Sequence, residues 1–245
     1  MSLKHVRDTY EAFGASDPFF AVLSRKGKEG GGWTPDEFYA TGVEEISDVM
    51  RYLERADFDV ARNDALDFGA GAGRLTQALG DHFERVVGVD ISSTMIQTAE
   101  THNRHGERVR YVQNTVPNLV QFETGTFDFV YSNITLQHMP SQAAEAFIGE
   151  FLRLLRPGGL ALFQVPDGRH FPAGSVRERL TEFIRGPLRR LSKRLRGKPP
   201  VEIHYVARPR VEAILAARGG TLLDVYDVAE GKKRWPLARY CVRKD

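Results

Sequence analysis

Cysteine is almost absent: Cys241 is the only one in 245 residues. An internal disulfide is excluded, no Cys/His spacing of the zinc-site kind is present, and no acidic cluster suggests a catalytic metal. A reducing compartment is the expectation. Long apolar runs are missing too. The first stretch of the chain has no signal-peptide core, and no later segment supplies the roughly eighteen apolar residues of a membrane span. The sequence therefore reads as a soluble, cytoplasmic protein. Charge of one sign is scarce: 34 basic residues against 32 acidic ones leave a net +2. That is too little to argue for specific nucleic-acid binding, so any basic surface has to be local. There is no internal repeat and no long low-complexity tract, only a turn at Gly30, Gly31 and Gly32. What is present, 42% apolar and 27% charged residues, suffices for the core of one α/β domain with additions.

Thr34, Pro35 and Asp36 make a helix-start signal. Phe38, Val43, Ile46, Val49, Met50 and Leu53 follow at helical spacing, which predicts an amphipathic helix over 34–55. From residue 64 the pattern changes to short apolar runs separated by helical segments. Strands are expected at about 64–68, 86–90, 109–113, 127–132 and 159–165, an alternation that implies a parallel sheet. The helix over Ala143–Leu155 is expected to end at Pro157, Gly158 and Gly159. Near the C-terminus a helix containing Val211, Ile214 and Leu215 stops at Gly219 and Gly220. Two last strands, 221–228 and 237–243, are joined by a short polar turn around Gly231, which only an antiparallel pair permits.

The stretch Ala65–Arg74, ALDFGAGAGR, carries the chemical information. A buried strand runs into Gly69, Gly71 and Gly73 and then into a helix. Glycines there let the backbone turn sharply and approach a ligand with no Cβ in the way. Open α/β sheets bind ligands outside the carboxyl ends of their strands, so a nucleotide-like cofactor is implied. Asp90 closes the next strand, VVGVD, beside this loop, where a carboxylate can accept hydrogen bonds from both ribose hydroxyls. The competing role for Asp90 is a helix cap, because Ile91, Ser92 and Ser93 lead into a helix.

Asp67–Gly73 match without a gap the first motif of the class I S-adenosylmethionine (SAM)-dependent methyltransferases, an acid, any residue, then Gly-x-Gly-x-Gly. The resemblance continues in FDFVYSNITLQHM (Phe127–Met139), in LLRPGGLALFQVP, and in the C-terminal hairpin. It covers about 36–167 and 205–243. It implies a seven-stranded, mostly parallel, doubly wound α/β sheet of order 3-2-1-4-5-7-6. An N-terminal helical cap (1–58) would precede the methyltransferase domain (59–245). It further implies SAM as cofactor and S-adenosylhomocysteine (SAH) as product. Asp67, Gly69, Ala70, Gly71 and Gly73 would bend round the methionine part, Asp90 would hold the ribose, Ile91 would pack on adenine, and Asn133 would contribute after strand four. Many relatives end strand three in Gly-Asp. This chain has Gln113, Asn114 and Thr115, so the Asn114 amide oxygen is the substitute acceptor for the adenine amino group, with an ordinary turn asparagine as the plainer alternative.

Other functions fit less well. A dinucleotide oxidoreductase using NAD(P) would want a third glycine at position 74, which is Arg74, and a P-loop would want Gly-Lys-Ser/Thr. A SAM-binding module without turnover remains an alternative. The residues Asn133–Leu136 do not form the Asn/Asp-Pro-Pro-aromatic motif of amino-directed DNA methyltransferases, and Cys241 lies far from the position of a cytosine-5 nucleophile. Metal-independent transfer to an oxygen or nitrogen of a small molecule, sugar or lipid is what these exclusions leave. Of seven histidines, His138 is best placed to be a general base, in the loop after strand four, with loop packing as the alternative. Phe38, Tyr39, Thr41 and Gly42 are candidates to close the N-terminal helix over the cofactor, or else to be plain core residues, as Phe38 reads best. Finally, 168–204 reads as an inserted basic helical lid. Its segment 175–198 carries nine basic residues against Glu178 and Glu182, a local +7, over an apolar stripe. An acidic acceptor and peripheral membrane contact are the two functional readings of that run, beside a merely solvated basic face.

Overall fold

The computed structural model describes residues 3–167, 203–227 and 237–245. The helices are α1 (Leu3–Ser16), α2 (Pro18–Val22), α3 (Pro35–Arg55), α4 (Arg74–Leu79), α5 (Ser93–Thr101), α6 (Ser141–Leu154) and α7 (Arg208–Ala217). The strands are β1 (Asp64–Phe68), β2 (Arg85–Asp90), β3 (Val109–Gln113), β4 (Phe127–Ser132), β5 (Leu155–Pro166), β6 (Gly220–Asp227) and β7 (Leu237–Lys244). They form one sheet of order β3-β2-β1-β4-β5-β7-β6, the order the resemblance implies. β1 to β5 run parallel, and β7 is antiparallel to both β5 and β6.

The strand period of two sorts side chains onto two cores. Leu66, Phe68, Val130 and Phe163 face α6 and α7, packing with Phe147, Phe151 and Leu215. Ala65, Phe129, Tyr131 and Leu162 face the other side, where Ile46, Leu53, Leu75 and Ala99 of α3, α4 and α5 cover them. Each fully buried Leu or Phe of this kind contributes about 1.5–3 kcal/mol. A third cluster joins the N-terminal helices to the domain through Trp33, Phe38, Tyr39, Ala72 and Met95, with Tyr10, Phe13, Phe19 and Val22 packed on it.

Three sequence expectations need correction. β5 begins at Leu155, not near 159. The helix before it ends at Leu154, and Pro157–Gly159 lie inside the strand, where the β4 pairing jumps from Phe127↔Leu155 to Phe129↔Leu160. The segment is taken up as an irregularity because the strand pairing on either side outweighs the turn signal. At the C-terminal helix only Gly219, at φ +64, acts as the stop, and Gly220 already belongs to β6. The third is at the N-terminus, where the expected helical cap over 1–58 had only the helix over 34–55 assigned within it, and two further helices precede that one. The basic helical insertion expected over 168–204 lies outside the described residues, apart from Ile203 and His204, and so does the turn around Gly231.

α3 starts as its sequence says it should. Thr34 caps it by accepting from the Glu37 N–H, and Glu37 returns a bond to the Thr34 N–H. Its close approach to α4 depends on Gly42: a Cβ there would stand 2.2 Å from the Arg74 carbonyl oxygen. In an exposed helix, Gly→Ala gains up to about 1 kcal/mol. Here Gly42→Ala is expected to destabilise by about 1–3 kcal/mol, because α3 and α4 have to part. Urea unfolding of both forms measures this, and an equal or higher midpoint for the variant would contradict the packing described.

Candidate cofactor and acceptor site

The carboxyl ends of β1, β2 and β4 open into a cavity with about 850 Å3 of empty space, counted out to its mouth. Its polar lining comes from Tyr10, Asp90, Asn114, Asn133, Thr135 and His138; Val6, Val22, Phe68, Met95, Ile134 and Phe147 supply much of the apolar wall.

The glycine loop forms one edge. Gly69 and Ala70 both donate to the Val89 carbonyl, at 2.8 and 3.0 Å, and Gly71 donates to Asp90 Oδ2 at 2.8 Å. Gly69 takes φ +84, and a Cβ on it would lie 2.1 Å from Thr135 Oγ1. Gly71 takes φ +52 and would meet Val22 at 2.6 Å. Both the backbone conformation and the space therefore demand glycine. Asp90 does not cap α5. Ser92 does so, and Asp90 Oδ1 instead accepts from the Ser92 N–H at 2.9 Å. Burial raises the Asp90 pKa against the lowering effect of the Ser92 and Gly71 N–H groups.

The structure thus brings Gly69, Gly71, Asp90, Ile91, Asn114, Asn133 and His138 onto one surface. Asp67, Ala70 and Gly73 do not line it. Asp67 shares the parity of Ala65, so it points toward α4, where Oδ2 accepts from Thr76 at 2.6 Å. It is 1% exposed, and burial pushes its pKa up to about 7. Asn114 holds its own loop: Nδ2 donates to the carbonyls of Val116 and Asn118, both at 3.0 Å. Arg74, where the dinucleotide fingerprint would have glycine, is 4% exposed and bonded to Thr41 and Glu45. Phe38 is core, stacked on Phe19 at 4.4 Å. Tyr39, Thr41 and Gly42 do not reach the cavity; Tyr39 donates to the Ala72 carbonyl and Gly42 abuts Arg74. The helices over the cavity are α1 and α2, through Leu3, Val6, Tyr10, Ala21 and Val22.

Sequence reading missed these residues, although Val6, Tyr10 and Phe13 recur at helical spacing and could have signalled α1. It also missed Ile134 and Glu11. Ile134 takes φ +58, rare for a β-branched residue, and lines the cavity between Asn133 and Thr135. Glu11 pins α1 to the start of α5, its carboxylate accepting from the N–H groups of Ser93 (2.6 Å) and Thr94 (3.1 Å) and from the hydroxyls of Ser92 and Ser93.

The residues fit the implied cofactor: a glycine cradle, a carboxylate at the end of β2, and apolar walls for a flat ring. Residues 66–163 match a family described as methyltransferase domain. A ubiquinone biosynthesis O-methyltransferase of Methylococcus capsulatus is 32% identical over 132 residues, 54% of each chain. A phosphoethanolamine N-methyltransferase of Caenorhabditis elegans is 35% identical over 100 residues, 40% of this chain and 22% of that one. The matched stretch spans about half the length of the first of these relatives. Magnesium protoporphyrin IX methyltransferase from Synechocystis PCC 6803, solved with bound SAH, superposes with TM-score 0.64 at 17% identity, over 99% of both chains. At that identity the likeness speaks for the fold. Residues 66–163 are therefore similar to a methyltransferase domain, set in a fold like that of the Synechocystis enzyme.

Glu11 supplies a pH test of the α1 contact. Burial would raise its carboxyl, but the Ser93 and Thr94 donors outweigh that and hold it at about 2. A folded pKa below the unfolded one adds stability above about pH 4.5 that is lost as pH falls through about 2. Glu11→Gln should therefore melt below the wild type near neutrality, by an amount comparable with a helix cap, about 1 kcal/mol. The gap should close as pH drops toward about 2. A gap independent of pH would show that the charge does not hold α1.

Proposed function

We propose that the chain catalyses metal-independent methyl transfer from SAM to an oxygen or nitrogen of a small-molecule acceptor with an apolar body. The carrying observation is the single cavity in which Gly69, Gly71, Asp90, Asn133 and His138 converge within apolar walls. Asp90 and the loop N–H groups would hold the ribose and amino-acid ends, and Ile91 with Val89 would pack on the base. Asp67 supports the loop from behind through Thr76. The chemistry that SAM supplies when bound is a methyl on a cationic sulfur, an already activated donor. The chain's work is then alignment and water exclusion, worth up to about 7–11 kcal/mol in favourable systems. The names of the relatives, a ubiquinone biosynthesis O-methyltransferase and a phosphoethanolamine N-methyltransferase, support an oxygen or nitrogen acceptor. The basic run at 175–198 favours an acidic group on that acceptor or an anionic surface.

For a hydroxyl acceptor the proton is taken by His138, which lines the cavity with Tyr10, ring centroids 5.9 Å apart. Gln137 Nε2 lies 3.1 Å from His138 Nε2. An amide nitrogen only donates, so base action at Nε2 has to displace this bond.

Calorimetry with SAM, SAH and NAD tests the cofactor. Asp90→Ala is expected to weaken SAH about ten- to a hundredfold, the loss of hydrogen bonds to a charged acceptor. Unchanged affinity, or tight NAD binding by the wild type, would sink the assignment. A labelled-methyl screen across phenols, amines, sugars and acidic lipids then finds the acceptor. With a hydroxyl acceptor in hand, His138→Ala should lower kcat about 10²–10⁴-fold with SAH affinity nearly intact. Near-normal turnover would return His138 to a packing role.

A further inference from the structure

Glu45, on α3, is a half-buried carboxylate beside the cavity that does not itself line it. Its Oε2 accepts from Arg74 Nη2 at 2.7 Å. Its Oε1 accepts from the Tyr131 hydroxyl at 2.7 Å and from Asn133 Nδ2, with Arg239 Nη2 3.7 Å away. Burial alone would raise its pKa, but Arg74, Tyr131 and Arg239 together lower it, so it stays a carboxylate. An ionised carboxylate can only accept. Asn133 must therefore turn its NH2 toward Glu45, which settles the orientation of an amide whose two ends are otherwise easily exchanged.

The consequence falls on the other end of that amide. Asn133 Oδ1 is buried and has no hydrogen-bond partner, while the residue itself lines the cavity. Its neighbour Ile134 is held in the left-handed region, so the backbone that carries the amide is fixed in an uncommon conformation. An unpaired acceptor with its position and direction both fixed calls for a donor from a bound molecule.

We infer that Glu45 is a positioning residue, whose carboxylate turns the Asn133 amide so that Oδ1 is held as acceptor for the amino group at the amino-acid end of the cofactor. This rests on the reading of the cavity as a SAM site. The alternative donor, a hydroxyl or amine of the acceptor, is separated from it by the choice of ligand. SAH carries the amino-acid end, and 5′-methylthioadenosine lacks it but keeps the base, ribose and sulfur.

The experiment is calorimetry of both ligands on the wild type, Glu45→Gln, Asn133→Leu, and the double variant Glu45→Gln with Asn133→Asp, beside melting temperatures without ligand. Glu45→Gln should weaken SAH about tenfold or more, the scale of a hydrogen bond oriented by a charge, and leave methylthioadenosine within about twofold. In the double variant the new glutamine amide donates to the new aspartate, whose other oxygen takes the place of Asn133 Oδ1, and SAH affinity should return to within about threefold of wild type. Asn133→Leu keeps the Glu45 ion pairs with Arg74 and Arg239 and should show the same SAH-selective loss, so a Glu45→Gln that fails to fold does not remove the test. Equal weakening of both ligands, no weakening, or a double variant no better than Glu45→Gln would overturn the role given to Glu45. A wild type that binds neither ligand would instead overturn the reading of the cavity.

Discussion

The turn at the carboxyl end of β1 is held by β2. Gly69 and Ala70 share the Val89 carbonyl, and Gly71 donates to Asp90, so three successive loop N–H groups are tied to two residues of the neighbouring strand. Everything around the cavity is arranged about this contact. It fixes the direction in which β1 leaves the sheet, it lets α4 begin at Arg74, and it brings the loop close enough to Thr135 and Val22 that no Cβ fits. Asp90 has two acceptor oxygens with four lone-pair sites, and two of those sites are used by Gly71 and Ser92. The remainder is available at a cavity wall.

Behind the loop, charges are wholly or partly buried in compensating sets. Arg74, Glu45 and Arg239 sit together, with Tyr131 and Asn133 completing the hydrogen bonds of the one carboxylate. Removing one member of such a set leaves an uncompensated charge, which costs more than the set as a whole contributes to stability. Asp67 is different: it is fully enclosed, has one hydroxyl partner, and is pushed up to about 7. It supports α4 through Thr76 rather than facing the ligand, a consequence of strand parity. At the opposite end of the sheet Asp64 and Asp128 tie Arg85 and Arg156 together across β1, β2, β4 and β5. That end is closed by ion pairs while the other is left open.

Short-range patterns carried most of the fold. The glycines of the loop, the apolar runs of the strands and the Thr34–Glu37 cap are each legible within about ten residues, because turn chemistry, strand period and capping are local. Boundaries went astray where pairing competed with a local signal, as at Pro157–Gly159, which a turn rule assigns outside β5 and the β4 ladder draws in. α1 went unread because its apolar positions are few and several of its residues are exposed; its helix is sustained by the cavity wall and by Glu11 on α5.

The sequence by itself determined the glycine-loop motif, the alternation of strands and helices, and the placing of Gly69, Gly71, Asp90, Asn133 and His138 at strand ends on one side of the sheet. Tertiary structure alone decided which side chains face the ligand space. Asp67 turned away, Asn114 was taken up by its own loop, and α1 with α2, not Tyr39 and Gly42, covered the cavity. It alone joined Glu11 to Ser93 and Glu45 to Asn133, pairs separated by 82 and 88 positions. The physical reason is range. A residue's conformational preference is set by its near neighbours, whereas the partner of a buried charge is set by how a helix comes to rest on a sheet, and that depends on the packing of the whole core at once.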